Sequence, residues 1–378
     1  MKILYHHRTR AEDAQGIHIA ELIRAFRRLG HKVTVVGLIE PGAASTGTGS
    51  SISRFASLVP AWAYEVLELL YNVYGFFVLR AEVRREKPDF IYERYALHNV
   101  SGVLVSAFCK VPLVLEVNAP LALEKAMYGS LVMGKLARLT ERFICSRAHR
   151  TLVVSTPLKK ILTASGVPEE KIVVMPNGIN PDHFSARGSG AAVRERYGLQ
   201  GKTVLGFVGW FRKWHGLEAL LEVFCTHGMA DKGMHIMLVG DGPACPDLER
   251  FARAKGIYES GVTFTGPVPR QEVPGYIAAF DVALQPDVTD YASPMKVFEY
   301  MAMGKGVIAP DKENMREIFG QGYGALFSES DPEDMARVML ACAADTDRSG
   351  ALGAQASSIL RERGYYWTTN AEGVVALV

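Results

Sequence analysis

A chain of 378 residues exceeds what one ordinary core organises and accommodates two domains, each large enough to bury a substantial interior. Apolar residues make up 48% and charged residues 22%, the balance of a globular protein and not of a disordered or fibrous one. A formal charge of +2 argues against a general nucleic-acid binder, which needs a concentrated basic face, so nucleic acid is not an expected partner.

The N-terminus turns polar at His6-His-Arg8 before an apolar signal region forms, which predicts a cytoplasmic protein. Cys109, Cys145, Cys225, Cys245 and Cys342 include no C-x-x-C pair and read as buried free thiols of a reducing compartment. From the first residues onward, short β-rich runs alternate with amphipathic helical patterns, the signature of βα units around parallel sheets. The first half offers strands at 2–6, 32–37, 89–93, 112–117, 151–155 and 171–175. Between the first two, Ile19, Leu22, Ile23, Phe26 and Leu29 share one helical face and Gly30 supplies the stop. The run 42–53, rich in Gly, Ser and Thr, reads as a loop. The longest apolar stretch, Val66–Leu79, is too short to span a bilayer and carries Glu68. Leu121–Arg150 mixes large apolar residues with Lys125, Lys135, Arg138, Arg142, Arg147 and Arg150. It reads first as a solvated helix face, while peripheral docking on the inner face of a membrane stays open.

The polar stretch 185–202 reads as the passage between lobes, with a short helix near 191–197. A second set of strands follows at 204–208, 235–239, 262–265, 281–285, 306–309 and 324–327. The expected architecture is α/β: two Rossmann-like, doubly wound lobes facing each other across a cleft. The N-terminal, acceptor-side lobe spans 1–184, the C-terminal, donor-side lobe 203–356, and a tail helix, 357–378, returns to the first lobe. Ligands of open parallel sheets bind beyond the C-terminal strand ends, which directs attention to the loops there.

One of those loops leads into the best-defined helix start, Ser293-Pro-Met-Lys-Val-Phe-Glu299. Ser293 suits an N-cap, Pro294 the first helical position with Met295 next, and Gly304 the end. Lys296 is out of place, because a cation in the first turn opposes the helix dipole. A bound phosphate would offset it; the alternative is an ion pair with Glu299 one turn away. The segment through Gly304 resembles glycosyltransferase family four, of the GT-B fold. Its donor lobe carries a glutamate, seven intervening residues, a second glutamate, an apolar helix and Gly. The resemblance implies a ribose contact for Glu299. It places the first glutamate on Tyr291, so the sequence departs from the pattern there, with Asp290 next door as a candidate substitute.

The same resemblance extends to Gly206-Phe-Val-Gly209 and the loop to Gly216, similar to the family's donor-phosphate loop. Trp210 and His215 stand where the family places its arginine and lysine, and Arg212 and Lys213 lie between. It implies that Lys296, with Arg212, neutralises the diphosphate. Lys213 reads equally as an exposed loop residue, and His215 equally as structural. Gly242, in Gly240-Asp-Gly242, resembles the family's glycine turn, and Val268 the position touching the base through backbone. In the first lobe Gln15-Gly16 stands at the family's glycine loop, Asn118 at its catalytic histidine or aspartate, with Glu116 a candidate base and Arg94 an anion holder. Glu116 and Asn118 equally read as caps of the next helix. Asn177, before Gly178, marks a turn at the cleft.

The family implies retaining transfer of a hexose from a nucleoside-diphosphate donor to a hydroxyl acceptor, lipid-linked or not, without metal or other cofactor. Asp345-Thr-Asp347 is the lone D-x-D and reads as accidental. The alternative is a sugar-nucleotide epimerase or hydrolase of similar fold, for which Glu116 and Asp290 are the available carboxylates. A dinucleotide oxidoreductase fits least, since no strand is followed by G-x-G-x-x-G.

Overall fold

A computed structural model describes residues 1–9, 14–37, 61–127, 129, 131–184 and 190–378. The Gly/Ser/Thr run at 42–53 and the first part of the stretch read as a linker, 185–189, lie outside these residues.

Two compact units form, one from Met1–Pro176 with Trp367–Val378, the other from Asn177–Tyr366. In the first, β1 (Lys2–His6), β2 (Lys32–Val36), β3 (Phe90–Arg94), β4 (Leu113–Val117), β5 (Arg150–Val153) and β6 (Ile172–Val174) form a six-stranded sheet. Their order is β2-β1-β3-β4-β5-β6, and every pair is parallel. Strand residues such as Leu4, Tyr5, Ile91, Leu113 and Leu115 are buried, as expected of a sheet covered by helices on both faces. Helix Ala14–Arg28 packs against the C-terminal helix Trp367–Ala376, where His18 meets Trp367 edge-on at 4.6 Å.

The second unit repeats the plan with β7 (Thr203–Trp210), β8 (Met234–Asp241), β9 (Val262–Phe264), β10 (Val282–Leu284), β11 (Gly306–Pro310) and β12 (Leu326–Phe327). They run parallel in the order β12-β11-β10-β7-β8-β9.

The division falls after Pro176 and not at 184, because the chain is already fastened to the second unit there. The Ile179 N–H donates to the Tyr365 carbonyl, at 3.0 Å. Nor is 190–202 a free passage. Helix Ala191–Arg196 is held by Arg194, which donates to the Ala279 carbonyl (2.9 Å) and pairs with Asp281 (2.7 Å). Of the cysteines, Cys145 and Cys342 are buried, whereas Cys109, Cys225 and Cys245 are partly exposed, and all five are free thiols.

Candidate donor site

The strand order of the second sheet reverses between β7 and β10, which opens a crevice beyond their C-terminal ends. Two loops rise there, 209–216 from β7 and 286–294 from β10, the latter entering helix Met295–Ala302. They are tied together, as the Asp287 N–H donates to the His215 carbonyl at 3.1 Å. Asn314 donates its amide to the carbonyls of Thr289 and Ala292, at 3.0 and 2.8 Å. Lys312 reaches Asp287, Asp290 and Glu329 at 3.0, 3.1 and 3.2 Å. Burial works against the Lys312 charge, yet its hydrogen bonds to these carboxylates hold its pKa above the ordinary lysine range. Asp290 is thus an exposed partner of Lys312.

The helix begins one residue later than its sequence suggests. Pro294 is the N-cap, and no side chain caps the first turn. The Ser293 hydroxyl is used elsewhere: it accepts the Asn177 N–H at 3.1 Å, while the Asn177 amide donates to the Ser293 carbonyl at 2.6 Å. Asn177, read as a residue of the first lobe, therefore belongs to the second unit. Val297, Phe298, Tyr300 and Met301 seat the helix in the core, and the Tyr300 hydroxyl accepts the Val208 N–H at the end of β7 (2.8 Å).

The partly buried Lys296 makes no ion pair with Glu299. The Glu299 carboxylate pairs instead with Arg270 at 2.5 Å, and the Arg270 guanidinium lies 4.8 Å from the Phe184 ring centroid. Lys296 Nζ sits 3.9 Å from the Phe207 ring centroid and 3.3 Å from His215 Nε2. Gly209, with φ at +153°, leaves the room: a Cβ there would stand 3.0 Å from Lys296 Nζ. No carboxylate among the described residues lies within ion-pair distance of this ammonium. Burial lowers its pKa to about 7, with Glu299 pulling the other way.

His215 is held neutral. Burial, then Lys296 and Arg212, lower its pKa to about 2, against a smaller opposing pull from the Trp210 carbonyl. Its Nδ1 accepts the Arg212 N–H at 3.3 Å, which assigns the ring proton to Nε2. The Nε2–H and the protonated Lys296 are then two donors side by side, unable to satisfy each other. Together with the uncapped helix start they form a site for an anion.

The remaining donor-side residues take lesser places. Arg212 is half-buried, 5.1 Å from the Trp214 ring centroid, and Lys213 is exposed. Gly242 lies where a Cβ would come within 2.4 Å of the Phe211 nitrogen, so the turn after β8 interlocks with the loop after β7. Val268 is partly buried and packs against the core.

In the first unit Arg94, Glu116 and Asn118 come together as a closed network. Glu116 accepts from Arg94 (2.5 Å), from the Tyr92 hydroxyl (2.7 Å) and from Asn118, with His18 at 3.4 Å. Burial raises its pKa, but His18, Arg94, Tyr92 and Asn118 outweigh burial and hold it below the usual carboxylate range. Glu116, read as a candidate base, and Arg94, read as a candidate anion holder, engage each other here. The Glu116 oxygens face Arg94 and Tyr92 and not a helix start. Gln15 and Gly16 lie inside helix Ala14–Arg28, not in a loop before it; Gln15 is exposed and Gly16 buried. Asp345 has a structural use: it N-caps helix Thr346–Glu362 by accepting the Arg348 N–H at 2.9 Å. No group of three or more candidate metal ligands occurs among the described residues.

Sequence reading missed Arg270, Lys312 and the His6–Glu93 pair. His6 Nδ1 lies 2.5 Å from Glu93 Oε2 at the ends of neighbouring β1 and β3, where the first sheet reverses its order. The signal for that pair was available, since both residues end predicted strands. Arg270 and Lys312 gave none, being single cations in loops.

Two parallel six-stranded sheets of this order, with helices on their faces, are the two Rossmann-like lobes of the GT-B fold. HepE of Anabaena, solved in complex with UDP-glucose, superposes with a TM-score of 0.74 over 100% of both chains at 17% identity. Sucrose-phosphate synthase of Thermosynechococcus elongatus gives 0.74 at 16% identity, covering 99% of this chain and 98% of that one. The sequence matches Glycosyltransferase Family 4 over residues 15–183 and Glycosyl transferases group 1 over residues 202–345. The chain belongs to glycosyltransferase family 4. Among its relatives is alpha-D-kanosaminyltransferase of Streptomyces kanamyceticus, 25% identical over 287 residues, 72% of this chain and 71% of the relative. Another is the GDP-mannose-dependent alpha-mannosyltransferase of Mycobacterium tuberculosis, 25% identical over 303 residues, 79% and 76%.

Proposed function

We propose that the enzyme transfers a hexose from a nucleoside-diphosphate sugar to a hydroxyl acceptor, a glycan, glycolipid or small molecule, with retention of configuration. The observation that carries this reading is the pair of donors at Lys296 and His215 beside an uncapped helix start, with no carboxylate to neutralise them. A diphosphate supplies what that site lacks. A relative named for GDP-mannose dependence and a structural neighbour solved with UDP-glucose support a nucleotide-sugar donor.

As the glycosidic bond breaks, negative charge grows on the leaving diphosphate and positive charge on the sugar. Lys296, the His215 Nε2–H, Arg212 and the helix start stabilise the former. Glu299, released from Arg270 or shared with it, accepts from the ribose hydroxyls, and Val268 borders the base through its backbone. Gly209 and Gly242 let the two turns approach the phosphates, while Ser293, Pro294 and Met295 present the helix start. A leaving phosphate oxygen takes the acceptor proton on the face it vacates, so retention needs no protein base. No metal is assigned a role.

A thermal-shift panel of UDP-, GDP- and dTDP-sugars identifies the donor, and NMR of the product reads the anomeric configuration. Stabilisation by one nucleotide sugar and a product of unchanged configuration are expected. Inverted product, or epimerised donor without acceptor, would sink this reading.

A further inference from the structure

On helix Ala61–Glu86 the large apolar side chains divide unequally between core and solvent. Leu79 and Val83 are buried, but Leu67, Leu70, Val73, Tyr74 and Phe77 are each between 55% and 62% exposed. Their spacing of three and four places them on one face, a continuous stripe of a size that soluble surfaces rarely leave uncovered. Helix Ser101–Cys109 widens it, since Phe108 is 60% exposed and packs edge-on against Phe76, 6.0 Å between ring centroids.

A cationic face lies next to this stripe. In helix Gly134–Arg147 the exposed positions are Lys135, Arg138, Leu139, Arg142, Phe143 and Arg147, with no acid among them. Its Glu141 is buried, accepting from the Tyr95 hydroxyl at 3.0 Å and the Ala122 N–H at 3.1 Å. The two helices are fastened together, because Glu65 accepts the N–H groups of Val132 and Met133 at 2.6 and 2.9 Å just before the second helix. The acids of the first helix are likewise engaged: Glu68 with Lys125 (3.7 Å), Glu82 with Arg85 (2.6 Å) and Glu86 with Lys32 (2.8 Å). What faces solvent is therefore apolar and positive.

We propose that the first unit docks on a membrane surface rich in anionic lipid, through the stripe of Ala61–Glu86 and the cationic face of Gly134–Arg147. Apolar side chains enter the headgroup boundary while Lys and Arg meet lipid phosphates, the division of labour of an interfacial helix. The helix lies on the bilayer and does not cross it: no helix among the described residues is long and apolar enough to do so. The sequence alone left surface docking open at its apolar stretch Val66–Leu79 and named 121–150 as a basic candidate; which side of Ala61–Glu86 faces solvent is known only once its core side is. The inference is independent of which sugar or acceptor the enzyme uses.

The full chain is sedimented with phosphatidylcholine vesicles with and without phosphatidylglycerol, at low and raised salt. Binding to anionic vesicles, weakened by salt, is expected. Leu70→Glu with Phe77→Glu, or Arg138→Glu with Arg142→Glu, should each lower the partition coefficient about tenfold or more. Leu70→Trp in the otherwise unaltered chain gives a second measurement that needs no disruptive change: its emission should shift to the blue on anionic vesicles. Circular dichroism checks that the variants fold. Equal partition onto neutral and anionic vesicles, no binding at all, or an unshifted Trp overturns the proposal. So does a concentration-dependent dimer broken by the Leu70 and Phe77 changes without vesicle binding, which would assign the stripe to a second copy.

Discussion

The strand ends of the two units handle buried charge in opposite ways. In the first, Glu116 collects Arg94, Tyr92, Asn118 and His18 around one carboxylate, so positive groups meet a negative one inside the protein. In the second, Lys296 and His215 stand side by side with no carboxylate in ion-pair reach of the ammonium, and Glu299, one turn along the helix, is taken by Arg270. The first arrangement is complete without a ligand. The second lacks a counter-charge, which a diphosphate would supply in the proposed reading, whereas the first ties β3 to β4 with its own residues.

Removing the cation that has no carboxylate partner has the largest expected effect. Lys296→Ala is expected to lower turnover about a hundredfold to a thousandfold, the usual cost of losing a charge-stabilising donor, with circular dichroism unchanged. Steady-state kinetics decide it, and near-normal turnover would remove the phosphate role. In the first unit Glu116→Gln should instead act on folding. It leaves Arg94 buried without its counter-charge and is expected to cost about 3 kcal/mol in denaturant unfolding.

A pH series sharpens the contrast. In the free protein Lys296 has a pKa of about 7 against 10.5 for an ordinary lysine, so between these values the unfolded chain binds a proton that the folded chain does not. Stability contributed by this group therefore rises with pH across that window, and the penalty for its buried charge is fully present below about pH 7. Lys296→Met should raise the thermal midpoint more at pH 6 than at pH 9. A bound diphosphate favours the ammonium, so nucleotide affinity should fall as pH rises through about 7, and binding near pH 8 should take up a proton. Calorimetry in buffers of different ionisation enthalpy measures that uptake, which the Met variant should lose. The smallest effect is expected of Asp290→Asn, below about 0.5 kcal/mol, because Lys312 keeps Asp287 and Glu329 and the lost pair is exposed.

Much of the architecture was legible from the chain alone. All twelve strands lie at or within a residue or two of the runs that predicted them, since strands buried on both faces are continuous Val, Ile and Leu segments. The helix after Ser293 was legible too, but its start was misplaced by one residue. Local propensity favours Ser as an N-cap, and only the partner, Asn177, reveals that the hydroxyl is already used. Likewise Lys296 and Glu299 are good ion-pair neighbours by spacing. Arg270, far away in sequence, takes the carboxylate because its fork reaches it in space.

By itself the sequence determined the two sets of βα units, the loops after their strands and the glycines at 209 and 242, because these follow from short-range periodicity and backbone sterics. Tertiary structure decided which charges are paired and which are not. It turned Glu116 from a candidate base into the centre of a closed network and left Lys296 beside a neutral His215. It also divided helix Ala61–Glu86 into a buried face and an exposed one. Pairing and exposure depend on groups that long-range folding brings within a few ångströms, and no local pattern in the chain specifies them.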